Sequence, residues 1–156
     1  MRPREGKPLV RIGTGVCVMS PEGRLLIVQQ AHDGKVDWGP LGGSLERGET
    51  IQECAIREAR EESGLNVRLI RLLSVDQFWH SGEFRGAGFV FLAAPEPWPQ
   101  EVVIPEFDGR TEVLDYRWIT KAEAEDFRLP ENKWELWIHR WPTDIEETLI
   151  RKLDFD

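Results

Sequence analysis

The sequence predicts an α/β fold in which a mixed β-sheet carries helices packed on its faces. Three observations lead there. Short runs rich in valine, isoleucine and aromatic residues fall on both sides of one strongly signalled helix. A threonine followed three residues later by glutamate occurs at Thr50/Glu53, Thr120/Glu123 and Thr143/Glu146, a helix-start pattern weighted toward the end of the chain. No internal repeat or low-complexity tract interrupts the order of strands, helix, strands, helices.

Residues 1–7, MRPREGK, form a loose polar start. LVRIGTGVCVMS (9–20) and RLLIVQQ (24–30) read as strands joined by a tight turn at PEG (21–23). AHDGKVD (31–37) reads as a loop, and WGPLGG (38–43) is too rich in glycine and proline for lasting regular structure. Thr50 with Glu53 forms a capping box, and Gly64 supplies a left-handed stop, so the helix spans 51–63. NVRLIRLLSVDQFW (66–79) and GAGFVFLAA (86–94) are strands around the loop HSGEFRG (80–86). PEPWPQ (95–100) is a surface loop, and EVVI (101–104) and TEVLDYRWI (111–119) are further strands. KAEAEDF (121–127) starts a helix, ENKWELWIHR (131–140) is helical, and a last helix covers 144–153. Six of the seven tryptophans follow residue 78, most of them as packing and one or two free to line a cleft and stack on a base.

The 156 residues make one domain, 1–156, large enough to bury roughly 70% of the surface its unfolded chain exposes. With 28 Asp plus Glu against 20 Lys plus Arg, the net charge of −8 disfavours binding of nucleic acid or anionic membranes through a basic surface. A nucleotide substrate remains compatible, because bound cations reverse local charge. Cys17 and Cys54 lie in apolar patterns and read as small buried hydrophobes. There is neither a long apolar run nor a charged-then-apolar leader, so a cytoplasmic protein is the simplest expectation.

The chemistry concentrates in Gly43 to Leu65, GSLERGETIQECAIREAREESGL. On a helix Glu58, Glu61 and Glu62 stand at i, i+3 and i+4 and share one face. Like charges at that spacing cost a few tenths of a kcal/mol per pair, and anions near a helix C-terminus oppose the macrodipole. Two local rules broken together mark a functional site. A hard divalent cation, Mg²⁺ or Mn²⁺, would resolve the conflict through carboxylate oxygens. The competing reading is a solvated acidic helix face. Gly42 and Gly43 permit close backbone approach, and Arg57 is placed to pair with Glu49 and pin the preceding loop.

This segment resembles the Nudix box, the signature of the Nudix hydrolases. Gly43, Glu49, Arg57, Glu58, Ala59, Glu61, Glu62, Gly64 and Leu65 fill every fixed position of it across 23 residues. Two departures are Leu41, where members often carry proline, and Ala59, small for an apolar slot. The resemblance implies an α/β/α sandwich that hydrolyses a nucleoside diphosphate linked to another group, with Mg²⁺ or Mn²⁺. It implies Glu58, Glu61 and Glu62 as metal ligands, with one handling a proton. It gives the Gly42 carbonyl as a further ligand and Arg57–Glu49 as a structural ion pair. Some members place the base outside the box; Glu106 is the first candidate for that role and Glu112 the second.

Arg85 and His80 in WHSGEFRG are candidates for touching phosphate, and Trp79, Phe84 and Phe107 for stacking on a base. His32, His80 and His139 have no partners at metal spacing. Members of the family often dimerise, so a homodimer is possible. The alternative to an enzyme is a catalytically silent nucleotide-sensing or partner-binding module. ADP-sugars, dinucleoside polyphosphates and nucleoside triphosphates all stay open as substrates, while a capped RNA end is disfavoured by the acidic charge.

Overall fold

A computed structural model describes residues 6–109, 112–127 and 140–155. Its strands are β1 (Arg11–Val18), β2 (Leu25–His32), β3 (Lys35–Gly39), β4 (Leu41–Ser44), β5 (Val67–His80), β6 (Glu83–Pro95), β7 (Glu112–Ile119) and β8 (Leu149–Phe155). The α-helix α1 covers Ile51–Ser63, and short 3₁₀ turns lie at Glu123–Phe127 and Pro142–Asp144. One sheet runs β4-β1-β6-β5-β8 and the other β3-β2-β7. The larger sheet is mixed: β1–β6 and β5–β8 are parallel, and β1–β4 and β5–β6 antiparallel.

Strand alternation feeds two apolar clusters. Cys17, Val90, Leu92 and Leu73 face Leu25 and Ile27 of the second sheet. Val16, Val18, Phe91 and Ala93 point the other way, toward Ala55 and Ala59 of α1 and Leu65. β2 feeds both clusters, since Leu26 and Val28 join the second. Full burial of such side chains stabilises the fold by about 1.5–3 kcal/mol each. Leu41 and Ala59 are both fully buried here. The small Ala59 lets α1 lie close against the sheet. Both cysteines are buried, and burial pushes the Cys17 thiol up to about 12.

The helix begins and ends as the sequence dictates. The Thr50 hydroxyl oxygen accepts from the Glu53 N–H, the Glu53 carboxylate accepts from the Thr50 N–H, and Gly64 closes the helix at φ 75°. Thr120 and Glu123 also form both capping bonds, but the turn they open is only the 3₁₀ segment Glu123–Phe127.

Four expectations are corrected. The loop at 31–37 and the irregular 38–43 are instead the end of β2 with β3 and β4. Asp33 and Gly34, at φ 48° and 76°, make the two-residue hairpin turn. The loop at 80–86 shrinks to Ser81–Gly82, again with both φ values positive, so β5 and β6 reach nearly to its tip. Residues 101–104 are not a strand. The Val103 N–H donates to the Ser63 carbonyl at 2.8 Å, satisfying the helix end instead of a sheet neighbour. The helix expected at 144–153 is replaced by β8. Leu149, Arg151, Leu153 and Phe155 turn inward while Ile150, Lys152 and Asp154 face out, a period of two rather than 3.6. The Asp76 carboxylate accepts two bonds from Arg151, at 2.8 and 2.7 Å, and fastens β8 to β5. Residues 131–139 of the helix expected at 131–140, His139 among them, lie outside the described residues. Among those residues no helix is long and apolar enough to cross a membrane.

Candidate active site

β4 and the turn after it carry the chain from the sheet to the head of α1, over one face of that helix. Arg57 organises this junction. Its Nε and Nη2 donate to the two oxygens of Glu49 at 2.9 and 2.8 Å, a fork-to-carboxylate pair. Nη2 also reaches the Ser44 carbonyl at 3.0 Å. Glu49 accepts in addition from the Glu46 N–H at 2.8 Å, so the loop 44–49 is stitched to the helix and to itself.

The Arg57 hydrogen bonds and the Glu46 N–H hold the Glu49 carboxyl down at about 2, from an ordinary 4.5. A depressed folded-state value stabilises the fold above the unfolded value and loses that contribution as pH falls, here between about 4.5 and about 2. Glu49→Gln is therefore expected to lower Tm near neutrality, with the gap to wild type closing as the solution is acidified through that window. Thermal melts of both proteins across the acid range check this; a gap independent of pH refutes it.

The three glutamates of α1 converge on one cavity of about 690 Å³. Its lining also includes Gln30, Gly42, Gly43, Glu46, Glu106, Asp108 and Val113, and Arg57 is the sole basic member among the described residues. Glu58 and Glu61 both accept from Arg57 Nη1, at 2.8 and 3.1 Å. Glu62 accepts the Gly42 N–H at 2.7 Å and a bond from the Gln30 side-chain amide. Desolvation pushes the Glu62 carboxyl up to about 8, with the charge of Glu58 adding to it, and burial raises Glu58 as well.

With these rotamers, no three His, Cys, Asp or Glu side chains among the described residues are arranged to hold a metal ion. Two of the carboxylates are turned onto Arg57 and the third onto its neutral donors. The donor chemistry nevertheless fits a hard divalent cation: oxygen ligands from neighbouring helical turns, crowded so that enclosure disfavours their own negative charge.

Glu106, the first candidate for the base, lines this cavity, whereas Glu112 is not among its lining residues; its neighbour Val113 is. Arg85, Trp79 and Phe84 sit at the β5–β6 hairpin and do not line the cavity. Trp79 and Phe84 pack together with ring centroids 5.8 Å apart, Lys152 Nζ lies 4.5 Å above the Trp79 ring, and Arg85 pairs with Glu83 at 2.9 Å. His80 and Phe107 are exposed. Sequence reasoning passed over Gln30 and Asp108. The available signal for Gln30 was a polar residue two places after Val28, where the apolar run Leu25–Val28 of β2 ends.

A loop clamped by an arginine fork beside a carboxylate-bearing helical turn is the arrangement of a Nudix hydrolase, and the family model of the NUDIX domain matches residues 9–139. The chain belongs to this family and is a Nudix hydrolase. It is 35% identical over 120 residues to "Phosphatase NudJ" of Escherichia coli strain K12 and to the protein of the same name in Shigella flexneri, with 75% of each chain covered. Among solved structures it is similar to a NUDIX hydrolase from Nitrosomonas europaea (TM-score 0.73, 16% identity, covering 99% of this chain and 93% of the other). It also resembles a MutT protein from Methanosarcina mazei Go1 (0.67, 14%, 92% and 100%) and an ADP-ribose pyrophosphatase from Streptococcus suis 89-1591 (0.58, 15%, 93% and 100%). At those identities the structures speak for the fold alone.

Proposed function

We propose that this chain is a divalent-metal-dependent nucleotide pyrophosphohydrolase that opens the anhydride of a nucleoside diphosphate joined to another group. One observation carries the proposal. Glu46, Glu58, Glu61, Glu62, Glu106 and Asp108 line a cavity with Arg57 as the basic residue facing them. A diphosphate entering so acidic a space meets net repulsion unless cations accompany it.

Glu58, Glu61 and Glu62, with the Gly42 carbonyl, would hold Mg²⁺ or Mn²⁺. When bound, the metal would neutralise phosphate oxygens and lower the pKa of a bound water. The protein's own part is threefold. α1 presents carboxylates at fixed spacing, the Arg57–Glu49 pair fastens loop 44–49 to α1 beside them, and Glu106 or Glu61 accepts the proton of the attacking water. The names of the relatives support the reaction class; which nucleoside diphosphate derivative is cleaved is left to experiment.

The test is a panel of ADP-sugars, dinucleoside polyphosphates and nucleoside triphosphates, assayed with Mg²⁺ or Mn²⁺ and again with a chelator. Cleavage at a phosphoric anhydride, lost with chelator and restored by excess metal, is the expected result. Turnover insensitive to chelator removes the metal from the mechanism. Binding without cleavage across the panel turns the protein into a nucleotide-sensing module.

A further inference from the structure

We propose that Gln30 is a positioning residue: it fixes the Glu62 carboxylate with an uncharged donor, so that Glu62 is oriented for a divalent cation without being neutralised. The inference rests on the metal-dependent reading above and deepens it.

Its origin lies in the strand. Leu26 and Val28 of β2 point to the α1 side of the fold and are fully buried. Gln30 is next on that face by the alternation of a strand, and it reaches the cavity where the apolar row ends. A bulge sets the phase opposite it. Gln29 pairs with Asp115 and Gln30 with Val113, leaving Leu114 as the extra residue of β7. That one-residue slip puts Val113 on the face of Tyr116 and Trp118, all three packing into one cluster, and beside Gln30 in the cavity wall. Bulges re-aim side chains beside active sites.

The hydrogen bonds are specific. Gly42 N–H donates to Oε1 of Glu62 at 2.7 Å, and Gln30 Nε2 donates to Oε2. Each carboxylate oxygen offers two lone-pair sites, so each keeps one after these bonds. Both donors are uncharged. Glu58 and Glu61, by contrast, share the guanidinium nitrogen Nη1 of Arg57. An arginine or lysine at position 30 would put a fixed positive charge where a cation is to sit. An apolar residue would let the carboxylate rotate. Glutamine avoids both.

The experiment measures Mn²⁺ binding to the full chain by the paramagnetic resonance signal of free Mn²⁺, in wild type, Gln30→Met, Glu62→Gln and the double variant, with melts to check folding. Methionine keeps the length of glutamine and removes the donor. The expected result is an Mn²⁺ affinity reduced about 10- to 100-fold in Gln30→Met, as for other groups that orient metal ligands. The double variant should bind no more weakly than Glu62→Gln, because Gln30 acts through Glu62. Should Gln30→Met fail to fold, Gln30→Asn, one methylene too short to reach, is expected to show the same loss. Weak binding in Glu62→Gln with near-wild-type affinity in the folded Gln30 variant overturns the positioning role and leaves the metal reading standing. Additive losses in the double variant also overturn it. Wild-type affinity in both single variants overturns the inference together with Glu62 as a ligand.

Discussion

Glu61→Gln is expected to lower kcat about 10²- to 10³-fold, the scale of several kcal/mol of lost transition-state stabilisation, while Tm stays close to wild type. The separation follows from where Glu61 sits. Its side chain is 58% exposed, and its partner is Arg57 four residues earlier on the same helix, at 3.1 Å. An exposed pair of that kind adds only about 0.3–0.5 kcal/mol to stability, and glutamine keeps the shape. What changes is the negative charge at the cavity. Steady-state kinetics on whichever substrate the panel identifies, with a melt of the same preparation, decides the matter. A variant within about threefold of wild-type kcat, a shift of under 1 kcal/mol in barrier height, removes Glu61 from the mechanism and returns it to the solvated helix face.

The adjacent glycines are expected to fail in opposite ways. A Cβ added at Gly42 would lie 2.2 Å from the Thr14 carbonyl oxygen and 3.0 Å from Gly15 Cα, both backbone atoms of the neighbouring strand. Neither can move without breaking the β1–β4 pairing, in which Gly42 stands opposite Gly15. Gly42→Ala should therefore cost roughly 3 kcal/mol, at the severe end for a single substitution, and displace the N–H that holds Glu62. The nearest atoms to a Cβ at Gly43 are those of the Glu58 carboxyl group, at 2.4 to 2.6 Å. That is the far end of a flexible side chain, so Gly43→Ala should fold and melt near wild type while Glu58 is pushed off its place and turnover falls. Chemical denaturation and kcat, measured on both variants, form the test. The expectation fails if Gly43→Ala is the less stable of the two or keeps full activity.

The legible part of this protein was what local chemistry decides. Thr50, Glu53 and Gly64 set the helix ends through bonds to their own neighbours, and the spacing of Glu58, Glu61 and Glu62 placed all three at one cavity. The illegible part was decided by distant partners or by an underweighted turn. Asp33–Gly34 and Ser81–Gly82 are strong hairpin signals that were read as longer loops. The stretch after Thr143 carries a helix-start pattern, yet parallel pairing with β5 and the Asp76–Arg151 pair make it a strand. No single-residue propensity announces a partner 75 positions away. Gln30 was missed for a related reason, since its role exists only once β2 and α1 are brought together.

The segment after β6 works as a ruler. Its near end is pinned: the Asn66 N–H donates to Gln100 Oε1 at 3.0 Å, and Gln100 Nε2 returns a bond to the Asn66 carbonyl at 2.9 Å. Val103 is then seated against Gly64, and Glu106 follows three residues on. Origin and graduation are thus measured from the same helical end that bears the acidic cluster. Inserting or deleting one residue between Gln100 and Glu106 would leave every sheet contact in place and still shift the wall carboxylate by about 3.3 Å, the length of one extended residue. Reach across the cleft is encoded in chain length, separately from the identity of the side chains that do the reaching.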